Sequence, residues 1–202
     1  MFIDLSIPLN EDTPVYPGDP KTQIKRAGIL EKDGYSDHYV CIGTHVGTHI
    51  DAPSHMISGG ENIDKIPLGK FTGRGVYIKV SNKKFDIEEI KKTLIKKGDV
   101  VFFHTSMSDE YQTPEYFTSY PAIPESVVNY LVEKNIKVVG VDMCSPDYAP
   151  FPIHKILLEK NILIIENLTN LDRIAGKEFK IYAFPLNVAL DGSPVRVVAE
   201  IN

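Results

Sequence analysis

The chain lacks the compositional extremes that mark several classes of protein. Its 202 residues include no tryptophan, and its two cysteines, Cys41 and Cys144, form no CxxC pair. Free thiols in a reducing compartment are therefore expected, not a disulfide framework. The net charge is −5 and no cluster of basic residues is present. Nucleic acid is excluded as an expected partner, because neutralising phosphates requires clustered Lys and Arg.

Signals for membranes and for secretion are also missing. No apolar run approaches the roughly 20 residues needed to span a bilayer, so no membrane partner is expected. The opening residues, 1–7, have neither the basic start nor the small-residue cleavage site of a secretion signal. Together with the free cysteines, these absences predict a cytoplasmic protein.

The length of the chain fits a single domain over residues 1–202, which is large enough to bury a hydrophobic core without a structural metal. Strands are predicted at 1–8, 39–43, 75–80, 99–103, 137–142 and 162–166, and again within 180–201 around a hairpin turn at 190–193. Helical spacing covers 87–97, 124–134 and 153–160. The alternation in the second half predicts an α/β fold with a mixed sheet.

One short segment concentrates the residues that carry chemistry. Residues 45–55, HVGTHIDAPSH, hold three of the six histidines. His45, His49 and Asp51 occupy odd positions, so in an extended strand their side chains would point to one face. Gly47 shares that face and would leave space for an ion. The proline after Asp51 disfavours a regular strand, so His55 is expected to approach from a turn.

This segment predicts a metal site. Imidazole and carboxylate groups are ligands for Zn²⁺ and other first-row divalent ions. The alternative is a polar loop with solvated histidines, and the shared parity of the potential ligands disfavours it. A purely structural metal is also disfavoured, because structural zinc favours cysteine ligands and the segment contains none.

A second group of polar residues lies far along the chain. His154 begins a predicted helix and Glu166 ends a predicted strand, positions where an ordinary surface residue is common. Ligand sites in α/β sheets gather at the carboxyl ends of strands, so the residues alone leave the choice open. Asp142, which also ends a strand, is a candidate for orienting a ligand histidine. His104 is favoured as a structural residue at a strand exit.

The segment 45–55 matches the pattern HxGTHxDxPxH, so the chain resembles the cyclase family of metal-dependent hydrolases, which includes bacterial kynurenine formamidase (arylformamidase). The resemblance extends to 3–8, to the Pro-Gly-Asp-Pro loop at 17–20, and to 154–168. It implies a swivelling β/β/α fold, usually assembled as a homo-oligomer.

The resemblance also implies a set of ligands. In relatives of this type the first two histidines of the motif bind one metal and its aspartate bridges to a second, which implies His45 and His49 as ligands and Asp51 as the bridge. The family's distal histidine and glutamate lie twelve residues apart, and His154 and Glu166 keep that spacing. His154 would serve the second metal, and Glu166 would contact both.

The motif's last histidine donates and accepts protons in the family, which implies His55 as the catalytic residue. The implied cofactors are two divalent ions. Zinc is the favoured metal, and manganese would suit the carboxylate-rich half of the site.

The implied activity is hydrolysis of a small amide by a metal-activated water, in the manner of an arylformamidase that converts N-formylkynurenine to kynurenine and formate in tryptophan breakdown. Relatives commonly carry Trp in the loop where this chain has Tyr16, which can also stack against a flat ring or simply pack in the loop. Two alternatives remain: a cyclic-amide or other small-acyl hydrolase resembling isatin hydrolase, and a non-enzymatic protein that binds a metal or small ligand. The acid/base residue His55 disfavours the second.

Overall fold

A nine-stranded mixed sheet organises the chain in the computed structural model, which describes residues 1–201. The strands are β1 Phe2–Asp4, β2 Gln23–Gly28, β3 Asp37–Cys41, β4 His49–Asp51, β5 Thr72–Lys79, β6 Val100–His104, β7 Val138–Val141, β8 Leu163–Glu166, β9 Phe179–Tyr182, β10 Gly192–Pro194 and β11 Val198–Ile201. The helices are α1 Leu30–Asp33, α2 Ile87–Lys91, α3 Glu125–Glu133 and α4 Pro152–Glu159. The order across the sheet is β1-β11-β9-β5-β6-β7-β8-β4-β10, while β2 and β3 form a separate two-stranded ribbon.

The centre of the sheet is parallel and buried on both faces. Strands β5 to β8 pair in parallel, and β4 adds to β8 in the antiparallel direction. Successive residues of β6 enter opposite cores: Val101 and Phe103 pack in the core that includes α3 and α4, whereas Val100 and Phe102 pack in the core on the other face. This double burial explains why the central strands read as continuous apolar runs.

The expected α/β fold with a mixed sheet in a single domain is confirmed, and most predicted elements lie within a few residues of the observed ones. The predicted helix over 87–97 ends early, at Lys91. Beyond that point the Leu94 carbonyl accepts a hydrogen bond from the Arg74 guanidinium at 2.9 Å, outside any helix.

The hairpin predicted around a turn at 190–193 is wider than expected, and part of the predicted turn belongs to a strand. Gly192 opens β10, which pairs with β4 through Gly192 opposite Asp51 and Pro194 opposite His49. The Asp-Gly pair therefore leads into a strand beside a distant segment, and the chain reverses over a wider loop that ends in the antiparallel pairing of Pro185 with Val195. No helix within residues 1–201 combines the length and apolar character needed to cross a membrane.

Candidate metal centre

The segment 45–51 is a turn followed by a short strand, not one extended strand. Gly47 has φ +59°, a left-handed conformation that interrupts the chain before β4 begins at His49. A Cβ at Gly47 would meet only side chains, at 3.6 and 3.7 Å, so the glycine serves the backbone conformation and not the space for an ion. The shared-parity prediction is therefore wrong for His45, which reaches the site from the turn.

The turn nevertheless places the His45 side chain next to His49 and Asp51, the two candidate ligands of β4. Its Nδ1 lies 2.8 Å from Asp51 Oδ1, and His49 Nε2 lies 3.4 Å from the same oxygen. Ligand atoms of all three residues lie within 4.8 Å of one another. His49 and Asp51 are fully buried and His45 is partly exposed, so this group has one open side.

Sheet pairing brings the distal residues to the same place. Antiparallel pairing of β4 with β8 sets His49 opposite Glu166, and the Glu166 Oε2 lies 3.3 Å from His49 Nε2. His154 Nε2, from α4, lies 3.2 Å from Glu166 Oε1 and 3.8 Å from Asp51 Oδ2. Asp51 and Glu166 thus lie between two groups of histidines, and each offers one oxygen to either side.

Hydrogen bonds at Nδ1 fix the orientation of two of the buried histidine rings. His49 Nδ1 donates to the Gly47 carbonyl at 2.8 Å, and His154 Nδ1 donates to Asp147 Oδ1 at 2.6 Å. Because the carbonyl and the carboxylate only accept, each Nδ1 carries the hydrogen and each Nε2 is left as a potential ligand atom. Asp147 also accepts from the backbone N–H of Ile153 at 2.6 Å, so it caps the start of α4 as well.

Asp147, and not the predicted Asp142, orients a histidine of the cluster. Asp142 is buried elsewhere, where its carboxylate accepts hydrogen bonds from the backbone and side chain of Thr105 and from the Ser106 backbone. Its nearest histidine is His104, at 4.0 Å, and His104 itself bonds to Tyr77 Oη at 2.8 Å. Asp147 lies five residues before α4, whose N-cap position is Phe151, so its place in the sequence does not indicate the role.

Three atoms at the centre of this cluster support the presence of a metal. His49 Nε2, Asp51 Oδ2 and Glu166 Oε1 are buried without a hydrogen bond to any described residue. Buried polar atoms are costly unless they are paired, and such atoms on adjacent histidine and carboxylate groups are the ligand types of a divalent ion. The donor set therefore fits a divalent metal.

The electrostatics of the cluster suit a cation. Burial lowers the pKa of His45, but the Asp51 and Asp191 carboxylates outweigh burial and raise it to about 9. Burial likewise lowers the pKa of His154, but Asp147 and Glu166 raise it to about 10. Burial raises the pKa of Asp51, yet the surrounding imidazoles bring it well below its usual value. Positive charge is thus strongly favoured beside these carboxylates.

His55 stands apart from the two groups that share Asp51. It ends the 3₁₀ turn Pro53–His55, and its ring centroid lies 3.9 Å from that of His45 and 5.9 Å from that of His154. Burial lowers its pKa, and the neighbouring imidazoles of His45 and His154 lower it further against the attraction of Asp51. His55 is therefore neutral at neutral pH and able to accept a proton.

A cavity of about 370 Å³ opens beside these histidines. Apolar and aromatic side chains also line it, among them Tyr16, Met56, Phe117 and Phe151, and the Phe151 ring lies 5.7 Å from that of His154. The Tyr16 ring packs edge-on against Phe117, with 6.3 Å between the centroids, and still lines the cavity.

Cys144 also lines the cavity, but its chemistry is unsuited to nucleophilic attack. Its thiol donates to the Tyr116 carbonyl at 3.4 Å, and burial raises its pKa far above the usual value. A thiol that stays protonated is a poor nucleophile, so the cavity's reactive side is the histidine and carboxylate cluster.

Comparisons with known proteins agree with this geometry. The family model described as "Putative cyclase" matches residues 3–148. An uncharacterised protein of Methanocaldococcus jannaschii is 35% identical over 91% of both chains, and the kynurenine formamidase of Geobacillus thermodenitrificans is 32% identical over 96% of this chain and 95% of its own. Among solved structures, isatin hydrolase A from Labrenzia aggregata, bound to benzyl benzoate, has a TM-score of 0.88 and 27% identity, covering 98% of this chain and 93% of its own.

Proposed function

The chain belongs to the cyclase family and is an amide hydrolase, and on that premise we propose that it hydrolyses N-formylkynurenine to kynurenine and formate. One observation carries the proposal: aromatic side chains line the same cavity of about 370 Å³ as the cluster of histidines and carboxylates. An aryl amide has a flat ring for the aromatic side chains and a hydrolysable carbonyl for the cluster.

Two divalent ions would complete the site. His45, His49 and Asp51 would hold one, and Asp51, His154 and Glu166 the other, with zinc favoured and manganese as the alternative. When bound, such ions lower the pKa of water toward about 7 and polarise a carbonyl oxygen.

His55 would move the proton that the reaction requires. Its lowered pKa keeps it neutral at neutral pH, so it can accept a proton from water and deliver it to the departing nitrogen. An aromatic amine leaves readily only when its nitrogen is protonated, which makes this delivery part of bond cleavage. His55 lines the cavity and belongs to neither of the two groups that share Asp51, which is consistent with this role; it lies with His45 and Asp191 in a third group of close polar atoms.

Tyr16 would orient the substrate ring. Its ring packs against Phe117 and lines the cavity, where a planar substrate could stack on it. Tyr16 stands where relatives commonly have Trp, and this difference makes a second substrate class worth testing.

That second candidate is a cyclic amide, favoured by the close likeness to isatin hydrolase A at a TM-score of 0.88. The third possibility, a protein that only binds metal, leaves His55 without a purpose.

The test uses the purified full chain, stripped with a chelator and then reloaded separately with zinc or manganese. N-formylkynurenine and isatin are supplied in parallel, and product formation is followed spectroscopically. Metal-dependent turnover of N-formylkynurenine that exceeds turnover of isatin is the expected result. Preference for isatin would favour the cyclic-amide candidate, and no turnover of either by metal-loaded protein would reject both substrates.

A further inference from the structure

Asp191 makes a contact that links the candidate metal ligands to the candidate acid/base residue. Its Oδ2 lies 2.9 Å from His45 Nε2 and 3.4 Å from His55 Nδ1. The two histidine rings lie one above the other, so a single carboxylate oxygen is shared between neighbouring rings. The Asp191 side chain is 39% exposed, at the rim of the cluster.

The chemistry of the carboxylate determines what this contact does. An ionised carboxylate only accepts hydrogen bonds, so His45 Nε2 and His55 Nδ1 must each carry a hydrogen to bond with it. His45 Nδ1 lies 2.8 Å from Asp51 Oδ1 and donates to that carboxylate in the same way, so the hydrogen that a metal would replace is the one on Nδ1, while Asp191 keeps the one on Nε2. His55 is left with Nε2 as its free nitrogen, available to exchange a proton.

The backbone holds Asp191 in this place. The Ala52 N–H donates to the Asp191 carbonyl at 2.9 Å, and the Ile63 N–H donates to the preceding carbonyl, of Leu190, at 2.8 Å. The next residue, Gly192, pairs with Asp51 in the sheet. Asp191 is thereby fixed relative to β4, which carries two of the candidate ligands.

We propose that Asp191 is a positioning residue that orients His45 for metal binding and fixes the tautomer of His55. The role rests on the proposed function, because it presumes a metal at His45 and proton exchange at His55. Outer carboxylates of this kind orient ligand histidines and typically change metal affinity or activity 10–100-fold when they are removed. The hydrogen bond to one nitrogen of an imidazole also decides which nitrogen carries the proton.

The first measurement is zinc affinity of the full chain, by competition with a chromophoric chelator. Asp191→Ala is expected to bind the same number of zinc ions about 10–100-fold more weakly. Asp191→Asn keeps an acceptor oxygen and should recover part of the loss. Asp172→Asn, at an exposed aspartate outside the site, is the matched control and should bind like the parent.

The second measurement is the ¹⁵N chemical shifts of the histidine side chains in zinc-loaded protein. The parent should show His55 with its hydrogen on Nδ1, and Asp191→Ala should move it toward Nε2, the form preferred by a free histidine side chain. Parental zinc affinity and an unchanged His55 tautomer in Asp191→Ala would overturn the proposal. Loss of a whole equivalent of zinc would also overturn it, because Asp191 would then be a ligand itself.

Turnover supplies a third readout. With whichever amide the protein hydrolyses, Asp191→Ala should lower kcat about 10–100-fold with little change in KM, since the carboxylate does not line the substrate cavity. A raised KM with unchanged kcat would contradict a positioning role. The zinc and ¹⁵N measurements need no substrate, so a wrong substrate assignment and a wrong role for Asp191 give different results.

Discussion

Two histidines of the same motif should fail in different ways when they are removed. His55 lies beside both ligand groups without belonging to either group that shares Asp51. His55→Ala is expected to lose about 10²–10⁴-fold in kcat while keeping its metal, because general acid–base help is worth about that much. His49→Ala should lose metal and activity together. Metal content by elemental analysis, measured beside the kinetics, checks the distinction; parental turnover by His55→Ala would remove it from the mechanism.

The two thiols should also differ in reactivity. Cys41 is exposed, whereas Cys144 is buried, donates to a carbonyl and has a raised pKa. A thiol reagent added at neutral pH to the native protein is therefore expected to label Cys41 quickly and Cys144 only slowly. The denatured chain should show two rapid thiols, which serves as the control. Rapid native labelling of both would show that Cys144 is accessible as a thiolate.

At the level of single residues, the sequence pointed to side chains whose chemistry is itself diagnostic. Histidines and carboxylates at motif spacing stand out in the sequence alone, and the fold brings His45, His49, Asp51, His154 and Glu166 into one cluster. Asp147 and Asp191 were missed because an aspartate in a loop carries no signal of what lies opposite it. Each bonds to the imidazole of a histidine on another element: Asp147 to His154 and Asp191 to His45.

Among the elements, β10 has a direct effect on the metal cluster. Gly192, its first residue, lies so close to His45 that a Cβ would be 2.8 Å from His45 Cε1 and 3.0 Å from the Ile50 carbonyl. Gly192→Ala should therefore displace either the imidazole or the β4–β10 pairing and weaken zinc binding by about tenfold or more. A zinc titration and a thermal melt measure the effect.

Gly69→Ala provides the matched control for that experiment. A Cβ at Gly69 would meet nothing within 4 Å, and the residue is exposed. Its zinc affinity and melting temperature should match those of the parent. If Gly192→Ala had the same zinc affinity and melting temperature as Gly69→Ala, the close approach of Gly192 to His45 would not matter for the cluster.

The elements that could be predicted are those whose signal is local. β6, β7 and β8 are short apolar runs, and α3 and α4 carry helical spacing, so their sequences alone indicate them. β4 and β10 have three residues each and exist because they pair with segments far away in the chain. Long-range pairing of this kind leaves no periodicity to find.

At the scale of the whole molecule, the ribbon of β2 and β3 is the part that the rest of the chain covers least. Every residue of β3 is exposed, including Tyr39 and Val40. A two-stranded ribbon is marginally stable alone, so a surface is expected to cover it. We expect that surface to belong to a second copy of the chain, in keeping with the predicted homo-oligomer.

Light scattering on the purified protein tests this expectation, with a dimer or larger closed assembly as the expected mass. Tyr39→Glu should shift the mass toward the monomer by placing a charge in the apolar contact. Leu68→Glu, at another exposed apolar residue, is the control and should leave the mass unchanged. A monomeric parent protein would refute the assignment.

The pairing of β4 with β8 also affects the order of events during synthesis. The second ligand group takes Asp51 from one half of the chain and His154 and Glu166 from the other, so neither half alone carries that group. During synthesis β4 leaves the ribosome long before β8 has been made. Until then the nascent chain carries only part of the binding site. Binding of an ion at the second group would consequently wait until β8 has paired with β4, so occupancy of that group would report that the sheet has formed.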